Sequence, residues 1–259
     1  METSRVVSWL LDRPLALFGV TLLLLWAATG TGVWFRIRRR PLASDEREEF
    51  DLVRTAMLTL LGLLVGFAIS MAVSRYDLRK TYEEAEANAI GTEFVRLDLM
   101  PEASAARARA LLKTYVKERV EFYSNPGPGR EPKSDAETAR TQAALWSSVL
   151  AEAKANPTPV MALAVAGMND VLNSQGYTLA AWRNRLPIEV WTLLILVAAV
   201  CSFLIGFGAE RLSPATQAIL PLTVALAFVL IADVEGPRNG LVRVHPINLI
   251  DAAEAIRDK

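Results

Sequence analysis

Four windows of the chain, Pro14 to Phe35, Thr55 to Ser74, Val190 to Ala209 and Leu212 to Ala232, contain no Asp, Glu, Lys or Arg, and each is 20 to 22 residues long. A helix rising about 1.5 Å per residue needs roughly 20 residues to cross about 30 Å of hydrocarbon, so every window is long enough to span a bilayer. Buried helices of a soluble protein are the alternative. Runs that are apolar all round would leave such helices no face for water. A cleaved signal peptide is the alternative for the first window, which follows Arg5 and Arg13 and contains Ala27, Ala28, Thr29 and Gly30. That window continues through Val33, Trp34 and Phe35 to Arg36, Arg38, Arg39 and Arg40, the flank of a membrane stop. The expected fold class is therefore an all-α integral membrane protein, with four transmembrane helices in two pairs flanking a helical extramembrane domain.

The expected organisation is an N-terminal tail with transmembrane helices 1 and 2 in residues 1–74 (about 14–35 and 55–74) and a helical extramembrane domain in 75–186. Transmembrane helices 3 and 4 follow in 187–234 (about 187–209 and 212–233), then a C-terminal tail in 235–259. The charged stretch from Arg75 to Leu186 is too long for an unstructured connection. No proline interrupts Arg75 to Leu99, so the second span is expected to continue as one helix into the aqueous domain until Pro101, with Ala85, Ala89, Thr92 or Glu93, and Arg96 recurring at helical spacing.

A second domain helix reads Glu102 to Ser124, with Leu111, Leu112, Tyr115, Val116, Val120 and Tyr123 as its apolar stripe. Asn125 to Lys133 is rich in Pro and Gly and reads as a linker. Ser134 with Glu137 forms a capping box opening a further helix that carries Leu145, Trp146, Val149 and Leu150 on one side. Thr158 before Pro159 is an N-cap with proline at the first helical position, and Pro187 and Ser213–Pro214 give the same start signal to the last two spans. Pro221 lies inside the fourth span and removes a backbone donor there.

Net charge is zero with basic and acidic residues interspersed, so no nucleic-acid footprint is present and membrane lipid is the partner implied. Nine Lys and Arg flank the membrane on the domain side against seven on the loop side, which weakly favours a cytoplasmic domain, while the basic cluster directly after the first span pulls the other way. The single cysteine, Cys201, falls inside the third span and reads as a small core residue. His245 in Val244-His245-Pro246 reads as a turn residue, and no nucleophile triad, phosphate loop or paired-histidine site is found, so neither catalysis nor a cofactor is expected. Glu83, Glu84 and Glu86 read as a solvated helix face.

The second span carries the strongest functional pattern. Gly62, Gly66, Ser70 and Ser74 repeat every four residues as a stripe of small side chains, suited to close helix packing or to lining a narrow space. Leu63, Phe67 and Met71 form the adjacent apolar row, which would be a hydrophobic constriction around a pore or an ordinary packing surface. Arg75, Tyr76, Asp77, Arg79 and Lys80 follow at the water end as a cationic collar enclosing one acid, able to anchor at headgroups or, repeated around an axis, to concentrate anions. Asp233, Glu235 and Arg238 end the fourth span and are expected to pair with a neighbour.

The string from Leu60 to Phe94, LLGLLVGFAISMAVSRYDLRKTYEEAEANAIGTEF, together with Asp233 and the segment Glu235 to Val244, resembles the bacterial bestrophin-like family of membrane proteins, and the match extends over nearly the whole chain. That family is similar in turn to the bestrophins, pentameric ion channels that mostly pass anions. The resemblance implies a homo-oligomeric, pentameric channel in the bacterial inner membrane with transmembrane helix 2 around the pore. Leu63, Phe67, Ser70, Met71 and Ser74 would line or constrict it, Arg75, Asp77 and Arg79 would stand at a charged exit, and Gly62 and Gly66 would serve helix packing. The proline-containing neck motif of animal bestrophins is absent, Leu78 to Tyr82 replace its tryptophan pair, and the short tail has no acidic calcium clasp, so calcium gating is not implied. A non-conducting membrane scaffold or sensor, whose helical domain binds a partner, is the rival expectation.

Overall fold

The computed structural model describes residues 13–39, 43–124, 131–209, 213–236 and 240–257. Residues 210–212, most of the expected linker (125–130), and Arg5, Arg40 and Arg238 lie outside them. The described residues form helices and no strand. In chain order the helices are α1 (Pro14–Arg38), α2 (Ser44–Arg96), α3 (Glu102–Ser124), α4 (Glu131–Ala155), α5 (Pro159–Arg183), α6 (Ile188–Phe207), α7 (Pro214–Glu235) and α8 (Ile247–Arg257). A 3-10 turn at Leu97–Leu99 follows α2. Four of the helices, α1, α2, α6 and α7, are long and apolar enough to cross a membrane.

Helix α2 runs unbroken for 53 residues. It begins at Ser44, eleven residues before the uncharged window, because nothing from Asp45 to Arg54 disfavours a helix and Asp45 and Glu46 suit its positive N-terminal end. The helix expected to open at Ser134 instead starts at Glu131. Pro132 falls in its first turn, where a missing amide hydrogen costs nothing, so Ser134 lies inside the helix rather than ahead of it. Thr158 does cap α5: its hydroxyl accepts a hydrogen bond from the Met161 amide at 3.1 Å, with Pro159 next in line. Helix α7 continues through Pro221.

The chain divides into two compact units. The first comprises Met1–Ser74 and Arg185–Arg243. In it α1 packs along α6 and α7, and the backbones of α1 and α6 approach so closely that a β-carbon on Gly32 would fall on the Phe203 carbonyl and one on Gly206 on the Thr29 carbonyl. Glycine is what permits that crossing. Leu61, Ala68 and Ala72 of α2 join Leu194, Ala198 and Cys201 of α6 and Phe228 and Ile231 of α7 in one apolar core. The Cys201 thiol donates to the Met57 carbonyl at 3.3 Å, and the Phe50 and Phe207 rings meet at 5.5 Å.

The second unit comprises Arg75–Asn184 and Val244–Lys259. Helix α3 packs on α4, α4 on α5, and α8 on α3. The core collects Ile90, Phe94 and Leu97 after Arg75, Leu112, Tyr115 and Val116 from α3, Leu145 and Val149 from α4, Met168 and Val171 from α5, and Leu249 from α8. Of Ala85, Ala89, Thr92, Glu93 and Arg96, only Glu93 is buried; Ala87, Ile90 and Phe94 also point inward from this part of α2.

Candidate functional site

Within the first unit, one face of α2 packs and the opposite face does not. Leu61, Ala68 and Ala72 stand on the packed side at seven- and four-residue steps. Gly62, Gly66, Ser70 and Ser74 are all exposed, and a β-carbon built on Gly62 or Gly66 would meet nothing within 4 Å. Among the described residues nothing packs closely on those two glycines; the close crossing occurs at Gly32 and Gly206 instead. Beside the small stripe, Leu63 is 54%, Phe67 57% and Met71 39% exposed. An uninterrupted row of small and apolar side chains is thus left uncovered along a helix whose other side is sealed by packing.

The charged residues that follow separate into two groups in the second unit. Asp77 is exposed and Arg75 half-buried. Arg79, by contrast, is 1% exposed and its Nε donates to the Ala181 carbonyl of α5 at 3.4 Å. The structure therefore does not bring Arg79 to the same surface as Asp77.

Glu83 and Glu86 depart from the sequence reading as well, since only Glu84 of the three acids is solvated. Arg79, Glu83, Glu86, Ile90 and Glu93 succeed one another at steps of four and three as the buried side of α2, and Leu97 in the 3-10 turn continues the stripe. Glu86 forms an ion pair with Arg119 of α3 and accepts from the Thr178 hydroxyl of α5 at 3.1 Å. Tyr123 donates to the same Thr178 oxygen at 3.5 Å, and the Arg119 guanidinium lies 4.4 Å from the centre of the Phe122 ring. Glu83 takes the Leu249 amide at 2.9 Å and the Asn248 side-chain amide at 2.6 Å, a carboxylate set at the positive start of α8. Gln142 of α4 donates to Gln175 of α5 at 2.6 Å. This network joins α2 to α3, α5 and α8.

Burial works against the charge on Arg119, but the Glu86 carboxylate outweighs it, and the guanidinium is held above its ordinary value. Burial, and then the nearby Glu86 charge, raise Tyr115 and Tyr123 far above the usual phenol range. Sequence reasoning passed over Arg119, although its position among Leu112, Val116 and Tyr123 on the apolar stripe of α3 marks it as a charge on an inward face.

At the end of α7 both acids accept hydrogen bonds from backbone amides. Asp233 accepts from the Leu241 and Val242 amides at 2.7 and 3.0 Å, folding the chain back after the helix, and Gly240 lies so near that a β-carbon would stand 2.7 Å from Asp233 Oδ1. Glu235 accepts from the Leu186 amide at 2.6 Å, just ahead of α6. Among the described residues no group of three or more His, Cys, Asp and Glu is placed to hold a metal ion.

Comparison with known proteins adds the family. Residues 21–249 match the bestrophin-like domain. No curated protein matches the chain. Among solved structures, a tryptophan-to-alanine variant of a bacterial bestrophin homologue from Klebsiella pneumoniae is 14% identical, with a TM-score of 0.67 over 93% of this chain and 98% of that one. A leucine-to-threonine variant of the Klebsiella pneumoniae homologue is 13% identical, with a TM-score of 0.64 over 95% of this chain and 98% of that one. At such identities the likeness is one of fold, and it extends over nearly the whole length of both chains.

Proposed function

The chain belongs to the bestrophin-like domain family, and on that premise we propose that this integral membrane protein is a homo-oligomeric ion channel, anion-conducting and pentameric, in a bacterial inner membrane with its helical domain on the cytoplasmic side. In this reading α2 lines the pore. Leu63, Phe67 and Met71 form the apolar constriction, Ser70 and Ser74 give the lining its small polar stretch, Gly62 and Gly66 leave room along the same face, and Arg75 and Asp77 stand at the charged exit. The observation that carries the reading is the uncovered face of α2. One face of α2 is packed, and the face carrying Gly62, Gly66, Ser70 and Ser74 is left bare by the other described residues. An axis surrounded by several copies would use it, and an apolar row facing water-filled space is the arrangement by which channels gate through dewetting.

The test is anion flux from purified protein in liposomes, read beside the mass of the detergent-solubilised oligomer. Phe67→Ala is expected to raise the flux several-fold, and Ser70→Asp to cut it by about tenfold through charge repulsion of the anion. Folded oligomers that pass no ion, or a monomer with no second copy, would remove the proposal in favour of a scaffold whose helical domain binds a partner.

A further inference from the structure

One carboxyl of the helical domain stands outside the polar network. Glu93 is 0% exposed, and among the described residues neither of its oxygens has a hydrogen-bond partner. The space it occupies against α5 exists because residue 167 is glycine. A β-carbon there would fall on Glu93 Oε2 and stand 2.7 Å from Arg96 Nη1. The charged groups facing the carboxyl are Arg96 on its own helix and Asp170 on α5. A buried carboxylate with no donor is costly, whereas the neutral acid needs no partner charge and fits such a seat.

We propose that Glu93 and Gly167 form a proton-operated latch between α2 and α5, closed while the Glu93 carboxyl carries its proton and loosened when it ionises. Burial pushes this acid up to about 8, Arg96 opposing and Asp170 adding to the effect. The direction of the pH dependence follows. An unfolded glutamate gives up its proton near 4.5, so between that value and about 8 the folded chain holds a proton that the unfolded chain lacks. The contribution of Glu93 to stability is therefore greatest below about pH 4.5, declines as pH rises through this interval, and levels off above about 8. The Arg96 guanidinium, whose Nη1 also lies against Gly167, is the cation that faces the ionised carboxylate.

The latch stands whether or not the protein conducts, and its test uses the full chain in detergent or nanodiscs without any flux measurement. Infrared titration of the native chain is expected to show a protonated-carboxyl stretch at pH 6 that disappears with a midpoint near 8, absent from Glu93→Gln. Amide hydrogen exchange in α5 around Gly167 should rise several-fold from pH 7 to pH 9 relative to Glu93→Gln at the same pH, which cancels the intrinsic base catalysis. A native spectrum with no protonated carboxyl at pH 6 overturns the latch, and so does equal exchange in the two proteins. The infrared titration needs only the native chain, so a variant that fails to fold does not remove the test.

Discussion

At the scale of single residues, Arg119 shows how a charge can be central to a helical core. Its guanidinium is 1% exposed, pairs with Glu86, and lies against the ring of Phe122. Removing one member of such a pair leaves the other buried without its partner, which costs about 3–5 kcal/mol, whereas replacing both by apolar residues of similar volume is often neutral. Arg119→Ala is accordingly expected to lower stability by about that amount in chemical denaturation, and Arg119→Met combined with Glu86→Leu to restore most of it. An additive double variant would show that the pair is not the source of the cost. Thr158→Ala, which leaves the Met161 amide without its acceptor, should cost about 1 kcal/mol in the same measurement.

At the scale of an element, α2 keeps one seam throughout. Leu61, Ala68 and Ala72, and further on Arg79, Glu83, Glu86, Ile90 and Glu93, fall on one side of the helix at heptad-like spacing. What changes along the seam is its chemistry, apolar before Ser74 and largely ionic after it. The glycines divide in the same way by what meets them. Gly206→Ala places a methyl group on the Thr29 carbonyl and is expected to destabilise the α1–α6 crossing by about 1–3 kcal/mol, seen as a lowered thermal midpoint. Gly62→Ala and Gly66→Ala meet open space, so their thermal midpoints should stay at or slightly above the native value, helped by better helix propensity. A large drop for either would mean that the face of α2 between them is covered.

At the scale of the whole molecule, zero net charge and four apolar spans describe a protein adapted to membrane lipid. The family match and the likeness to bacterial bestrophin homologues agree on the architecture of two helix pairs around a helical insert. If the bare face of α2 surrounds an axis, flux should be sensitive to Phe67 and Ser70 and indifferent to Thr158→Ala, apart from the yield of folded protein. Liposome assays normalised to folded oligomer check this, and equal losses for all three positions would point to stability rather than permeation.

The spans, the unbroken α2, the proline-marked helix starts and the small-residue pattern Gly62 to Ser74 were all legible in the sequence, because length, charge exclusion and helical period act locally along the chain. The identity of the packing glycines was not, since Gly32 and Gly206 differ from Gly62 and Gly66 only in having a second backbone beside them. The fate of the acids was hidden for the same reason. Glu83, Glu84 and Glu86 look alike in a row of charges, and only their partners, the amides at the start of α8 for the first and Arg119 and Thr178 for the last, decide which are buried. A sequence sets which side chains share a face, but whether that face meets water, a carbonyl or an opposite charge depends on residues tens of positions away, and those are brought together only by the tertiary fold.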